Sequence, residues 1–176
     1  MYIDRLETED LVIAKAKMED LDGIYQNFWS ESESAKYMLW RPLTSINQAH
    51  AKLEKFITNQ QDTLSYFIYL KESNQPIGVV RFIEVEKGVY EDAGIGLGTK
   101  FVRQGYGTQA LSALMNYIFE SLGANKILLS SFKENEAGRR LIRKVGGQYL
   151  FTIADVREYD NLEYAVEYYQ VLNANK

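Results

Sequence analysis

Apolar positions recur along this chain with two different spacings, and the switches between them divide it into elements. Within residues 2–16 the run Leu11-Val12-Ile13-Ala14 predicts a first strand. From Met18-Glu19-Asp20 the spacing changes: Leu21, Ile24, Tyr25 and Phe28 lie three or four apart, as one face of a helix requires. Residues 29–42 follow neither period but are aromatic, with Trp29, Tyr37, Met38 and Trp40. Thr44 or Ser45 caps a helix predicted over 45–58, in which Ile46, Ala49, Leu53, Phe56 and Ile57 share a face. Residues 64–70, 77–86 and 89–97 read as strands. They are separated by a turn at Asn74-Gln75-Pro76 and a tight connection at Lys87-Gly88, which makes an antiparallel meander.

In the second half, Ala110, Leu111, Leu114, Met115, Ile118 and Phe119 stripe a long helix over 105–122 that Gly123 ends. Residues 126–131 form an apolar strand expected to be buried on both faces. A helix over 135–145 stops at Gly146-Gly147, and strands over 148–154 and 163–171 close the chain around Tyr159-Asp160-Asn161. The order β-α-α-β-β-β-α-β-α-β-β predicts an α+β fold: a mixed, mostly antiparallel sheet of about seven strands with helices on both faces. No linker, repeat or low-complexity tract interrupts it, so residues 1–176 are expected to form one domain.

Composition narrows the chemistry. The chain has no cysteine, which removes disulfides, thiolate metal sites and cysteine nucleophiles and favours a reducing compartment. The single histidine, His50, cannot build a metal cluster and reads as a helix-surface residue. A net charge of −4 without a basic patch argues against nucleic-acid binding and is compatible with a cationic substrate. No apolar run approaches a membrane span, and the charged start MYIDRLETED lacks a signal-peptide core, so a cytoplasmic protein without a membrane partner is expected.

The chemical signal is concentrated between Asp92 and Gly147. Gly94 and Gly96, two apart in a predicted strand, leave one face bare, either for close packing or for a ligand approaching backbone. Arg103-Gln104-Gly105-Tyr106-Gly107-Thr108 then leads into a helix, where exposed N–H groups and the helix dipole favour an anion. Residues 105–110 also fit the dinucleotide fingerprint. That motif needs a strand running straight into the glycines and an acid at the end of the next strand, and both are missing here. Asn135 opens the following helix as a favoured cap.

This order of elements resembles the acyl-CoA-binding core of the GNAT superfamily of N-acetyltransferases. The rest of the chain looks like the branch that acetylates ribosomal-protein N-termini and small amines. The family's Q/R-x-x-G-x-G/A loop falls on residues 102–107, with Gly105 and Gly107 matching and Val102 departing. The resemblance implies a three-layer sandwich with a cofactor core at about 89–147 and acetyl-CoA as cosubstrate, with no metal. It also implies that Arg103, Gln104, Gly105, Tyr106, Gly107 and Thr108 hold the pyrophosphate, that Ile95 and Leu97 offer backbone groups to the pantetheine arm, and that Asn135 touches that arm. Many relatives carry an acidic tyrosine where this chain has Ile142, so the leaving thiolate must take its proton from another Tyr, from water or from the departing ammonium. Gly138 and Gly147 stand where Ser and Phe are usual.

Acetyl transfer to an amine needs a proton acceptor, and Asp92 and Glu91, at the head of the Gly-spaced strand, are the candidates. Strand alternation puts Asp92 on the face of Gly94 and Gly96. Trp29, Glu33, Tyr37 and Trp40 occupy the region that forms the family's substrate wall, and an aromatic, acidic wall suits a cationic amine. The expected acceptor is therefore an amine-bearing small molecule or a protein N-terminus. A CoA-binding sensor without turnover and an aminoglycoside-type enzyme remain as alternatives. A self-pairing edge strand near the C-terminus leaves room for a homodimer.

Overall fold

Two acids at Glu9 and Asp10 interrupt the first apolar segment, and the chain reverses there, with Thr8 N–H bonding Leu11 O at 2.9 Å. The expected first strand is therefore a hairpin of β1 (Arg5–Glu7) and β2 (Leu11–Ala14), which raises the strand count to eight. The computed structural model covers residues 1–176. After the hairpin come a short helix α1 (Leu21–Ile24), which widens into a π turn over Tyr25–Trp29, and one turn of helix α2 (Ser32–Ala35). Helix α3 (Ile46–Asn59) starts at Ser45, whose side chain accepts the Gln48 N–H. The meander is β3 (Leu64–Leu70), β4 (Pro76–Glu86) and β5 (Val89–Leu97). Helix α4 (Tyr106–Asn116) ends in wider turns over Tyr117–Ser121, followed by β6 (Lys126–Phe132), α5 (Glu136–Lys144), β7 (Gln148–Arg157) and β8 (Leu162–Leu172).

The strands form one sheet in the order β1-β2-β3-β4-β5-β6-β8-β7, antiparallel except where β5 meets β6. Period-two alternation sends Leu11, Ile13, Tyr66, Ile68 and Phe82 to one face, where Leu111, Leu114 and Ile118 of α4 and Ile142 of α5 cover them. Val12, Phe67, Tyr69 and Val79 face the other way, against Ile24, Phe28, Leu53 and Phe56 from the α1 and α3 side. The expected sandwich with helices on both faces is the observed one. Two details differ. Ile46 lies exposed at the mouth of α3, and β6 alternates between buried and half-exposed positions instead of burying both faces. β7 is an edge strand, with Tyr149, Phe151 and Ile153 exposed.

Candidate active site

The cleft comes from a fork in the sheet. β5 and β6 pair at only three positions, Val89 with Lys126, Tyr90 with Ile127 and Glu91 with Leu128, and then separate. At the branch β5 carries an extra residue: Phe82 pairs with Asp92 and Arg81 with Gly94, so Ala93 is bulged out. Gly94 adopts φ of 132°, a conformation that side chains disfavour. The bulge corrects the expected alternation. Asp92 shares the face of Phe82, while Gly94 shares that of Arg81.

Asp92 occupies the fork. Its Oδ2 accepts the Ser130 N–H at 2.6 Å and the Ser130 hydroxyl at 3.3 Å, so a carboxylate replaces the strand partner that this stretch of β6 has lost. Burial pushes the Asp92 carboxyl up to about 7; the two Ser130 bonds pull against that shift and Glu91 adds to it. Glu91 is half-buried beside it. Around the fork is a cleft of about 490 Å³ that passes through the sheet, from Lys52 and Phe56 of α3 on one face to Leu111 of α4 and Leu141 of α5 on the other.

On the α4 side, Ile95 and Leu97 lie along the edge of β5 that has no strand partner, and both pack on the core. The loop beyond is exposed from Val102 to Gly105. Arg103 has φ of 63° and Gly105 φ of 83°, and the N–H groups of residues 103–108 make no backbone hydrogen bond. No side chain caps α4, and a Cβ at Gly105 would meet nothing within 4 Å. Gly107 faces Leu141 instead, and Tyr106 packs on the core. Gln104 donates to Lys100 O at 3.1 Å, and half-buried Thr108 follows on the first turn of α4. Asn135 caps α5, its Oδ1 accepting Gly138 N–H at 3.0 Å, and also lines the cleft. A Cβ at Gly138 would lie 2.6 Å from both Asn135 Nδ2 and Ser131 Oγ, which explains glycine there.

On the α3 side the predicted aromatic wall divides. Trp29 is 1% exposed and packs edge-on to Phe67, so it is mainly core. Trp40 stands edge-on to Phe28, Tyr37 stands against Phe132, and both line the cleft. Glu33 is exposed in an adjoining groove beside Arg157 and Tyr159 and does not line the cleft itself. Glu31 is engaged structurally, accepting from Thr99 N–H at 2.9 Å, Thr99 Oγ1 at 3.0 Å and Ser34 Oγ at 2.6 Å. The acidic wall expected here is absent. Lys52 and Arg81 line this part of the cleft, and Phe28 and Met38 fill the bare side of Gly96. Sequence reasoning passed over both cations, although Lys52 lies four residues before Phe56 on the apolar face of α3 and Arg81 interrupts an apolar strand. It also passed over Tyr168 of β8, which lines the cleft. Burial, with Glu91 and Asp92 nearby, raises the Tyr168 phenol above its ordinary range.

The acetyltransferase (GNAT) domain family matches residues 10–148. The chain is 30% identical over 150 residues to the uncharacterized N-acetyltransferase p20 of Bacillus licheniformis, with 83% of each protein covered. Among solved structures, a GNAT-family acetyltransferase from Bacillus anthracis superimposes with a TM-score of 0.84 at 20% identity, covering 96% of this chain and 98% of that one. RimL, a ribosomal-protein α-N-acetyltransferase in complex with coenzyme A, gives 0.84 at 17% identity, covering 98% and 100%. The chain belongs to the GNAT acetyltransferase family, and it is an enzyme that draws its acetyl group from acetyl-CoA. The site fits that cosubstrate: the free amides and open space at Gly105 suit a pyrophosphate, and the unpaired edge of β5 suits an extended, amide-bearing arm.

Proposed function

We propose that the acceptor is a primary amine, on a small molecule or a protein N-terminus, and that it attacks the thioester directly in a ternary complex. The fork carries this reading. It is an opening through the sheet, with an unpaired strand edge leading to uncapped amides on one face and a titratable carboxyl at the branch point. The chain has no cysteine to carry an acetyl group, which supports direct attack.

In this mechanism the amides of residues 103–108 and the dipole of α4 bind the pyrophosphate, and the β5 edge at Ile95 and Leu97 aligns the arm. Asp92, with a pKa of about 7, takes the proton from the amine directly or through a water. Backbone N–H groups along the same edge hold the oxyanion as the amine adds to the carbonyl carbon. When the C–S bond breaks, the Tyr168 hydroxyl, which makes no hydrogen bond in the structure and stays protonated at neutral pH, can return a proton to the leaving thiolate. Ile142 is buried at the edge of the cleft and cannot serve that role.

The test is release of free thiol from acetyl-CoA across a panel of amines and N-terminal peptides, with both substrates varied. Intersecting reciprocal plots are expected, because both substrates bind before either product leaves. Parallel plots would point to an acetylated enzyme. Acetyl-CoA binding without thiol release for any amine would favour a sensor.

A further inference from the structure

The α3 side of the cleft holds two cations that no group in the protein neutralises. Lys52 and Arg81 are both half-buried, and neither has a carboxylate within ion-pair distance. The Lys52 ammonium makes no hydrogen bond and lies 4.1 Å from the Trp40 ring centre and 5.0 Å from that of Trp29. Arg81 donates only its Nε, to Ser65 Oγ at 3.1 Å, and its guanidinium lies 5.6 Å from the Phe56 ring. Both terminal guanidinium nitrogens are therefore free. Burial, with a smaller contribution from the Arg81 charge, lowers Lys52 to about 8, so the two cations act on one another. Indole faces stabilise a cation but do not neutralise it. Two like charges drawn out of water side by side carry a desolvation cost that a bound anion would relieve.

The other walls of the cleft have the opposite character. Glu91 and Asp92 on β5 and Asp155 on β7 line it, as do Tyr164 and Tyr168 of β8. Arg81 pairs across the strands with Gly94, and Glu91 lies three residues earlier on β5, at the fork. The basic and acidic walls are thus a few residues apart along one pair of strands, within reach of one small molecule.

We infer that the acceptor is a small zwitterion, an amine with a carboxylate or phosphate a few bonds from its nitrogen. Lys52 and Arg81 hold the anion, and the amine faces Glu91 and the fork. The inference rests on the acetyltransfer reading above and narrows its substrate class.

Matched pairs test it. Each α-amino acid is compared with its carboxamide, and aminoalkyl phosphates are compared with the corresponding amino alcohols, in initial-rate assays with acetyl-CoA. The charged member of at least one pair should show kcat/KM tenfold or more above its neutral partner, and the class of that pair distinguishes carboxylate from phosphate. Lys52→Gln and Arg81→Gln should each raise KM for the charged member about tenfold, the loss of a charge-assisted contact. KM for the neutral member and the Kd of acetyl-CoA should stay where they were, and Arg81→Lys should recover part of the loss. Equal KM changes for both members, or preference for neutral amines or uncharged peptide N-termini, would overturn the inference. If no pair turns over, calorimetry of the same amino acids and aminoalkyl phosphates against enzyme saturated with coenzyme A decides it. Binding that Lys52→Gln weakens supports the subsite; no binding, or binding that the variant leaves unchanged, rejects it. Failure to bind acetyl-CoA at all, measured separately, would instead undercut the reading of the cofactor side.

Discussion

Helices α4 and α5 cover the same face of the sheet and begin in opposite ways. At α5, Asn135 turns its side chain inward and its Oδ1 takes the Gly138 N–H, as Ser45 does for Gln48 at the mouth of α3. At α4, Gly105 supplies no side chain, its backbone is left-handed and the first amides have no hydrogen-bond partner. Every helix begins with N–H groups that lack an internal partner. A side-chain cap settles part of that deficit permanently, whereas bare amides in water keep it available to a ligand.

Converting one mouth into the other should have the largest effect. Gly105→Val adds a β-branched side chain at φ of 83° and fills the open space beside the amides. The Kd for acetyl-CoA should rise about a hundredfold, roughly 2.7 kcal/mol, from backbone strain and steric exclusion together. Calorimetry on the folded variant reads it directly. An unchanged Kd would mean that the free amides of α4 do not hold the cosubstrate.

Asp92 offers a third way of satisfying an orphan amide, since it caps an interrupted sheet ladder instead of a helix. Asp92→Asn preserves an acceptor for Ser130 N–H but removes the titration. If the carboxyl takes the amine proton, kcat at neutral pH should fall at least about tenfold, within the usual range for general bases. The deficit should shrink at high pH, where more of the amine is already neutral. A rise in KM alone would make Asp92 a binding residue, and an unchanged pH–rate profile would leave it only its structural bond to Ser130.

The same substitution separates structure from chemistry through stability. Asp92 has a pKa of about 7 folded against about 3.8 for the free group, so between these values the folded protein retains a proton that the unfolded chain has released. Its contribution is fully present below the unfolded value and is lost as pH rises toward 7. Wild-type protein should therefore lose stability relative to Asp92→Asn across pH 4 to 7, by up to about 1.4 kcal/mol per pH unit. Denaturant titrations of the pair at several pH values measure the slope. Parallel curves would mean that Asp92 titrates normally.

What was legible in the sequence was local. Strands β3 and β5 lie where residues 64–70 and 89–97 predicted them, and the Ser45 cap is in place, because short-range periodicity and capping chemistry fix these features. The glycine loop stands where the sequence put it, directly before α4, because its signal is contiguous. Features that depend on pairing between distant strands could not be read. The bulge at Ala93 exists only as a mismatch between β4 and β5, and it turned Asp92 away from the face that alternation assigned it. Tyr168 reaches the fork because it pairs with Ser130, which is 38 residues earlier. The wall composition was misjudged for a similar reason. The nearby acid Glu33 suggested charge at the site, but it stands in an adjoining groove, while Lys52 and Arg81 arrive from α3 and β4.

The smallest expected effect falls on the capped helix. Asn135→Ala removes the side chain that bonds Gly138 N–H and leaves that amide at the edge of the cleft. Loss of a cap of this kind costs typically about 1 kcal/mol of stability, read as a lower denaturation midpoint with an unchanged denaturant slope. If Asn135 serves the helix alone, acetyl-CoA affinity should change by less than about threefold, under 0.7 kcal/mol. Asn135→Asp is the sharper companion. Aspartate also caps and favours the positive end of the helix dipole, so stability should be retained or slightly raised. It also replaces the Nδ2 donor of Asn135, which makes no hydrogen bond in the structure, with an acceptor oxygen. An Asn135→Asp variant that keeps its midpoint but binds acetyl-CoA about tenfold more weakly would show that this donor serves the arm, and that α5 combines a fixed cap with a ligand contact. Retention of both would leave α4 as the helix whose mouth serves the cosubstrate and α5 as a capped structural support beside it.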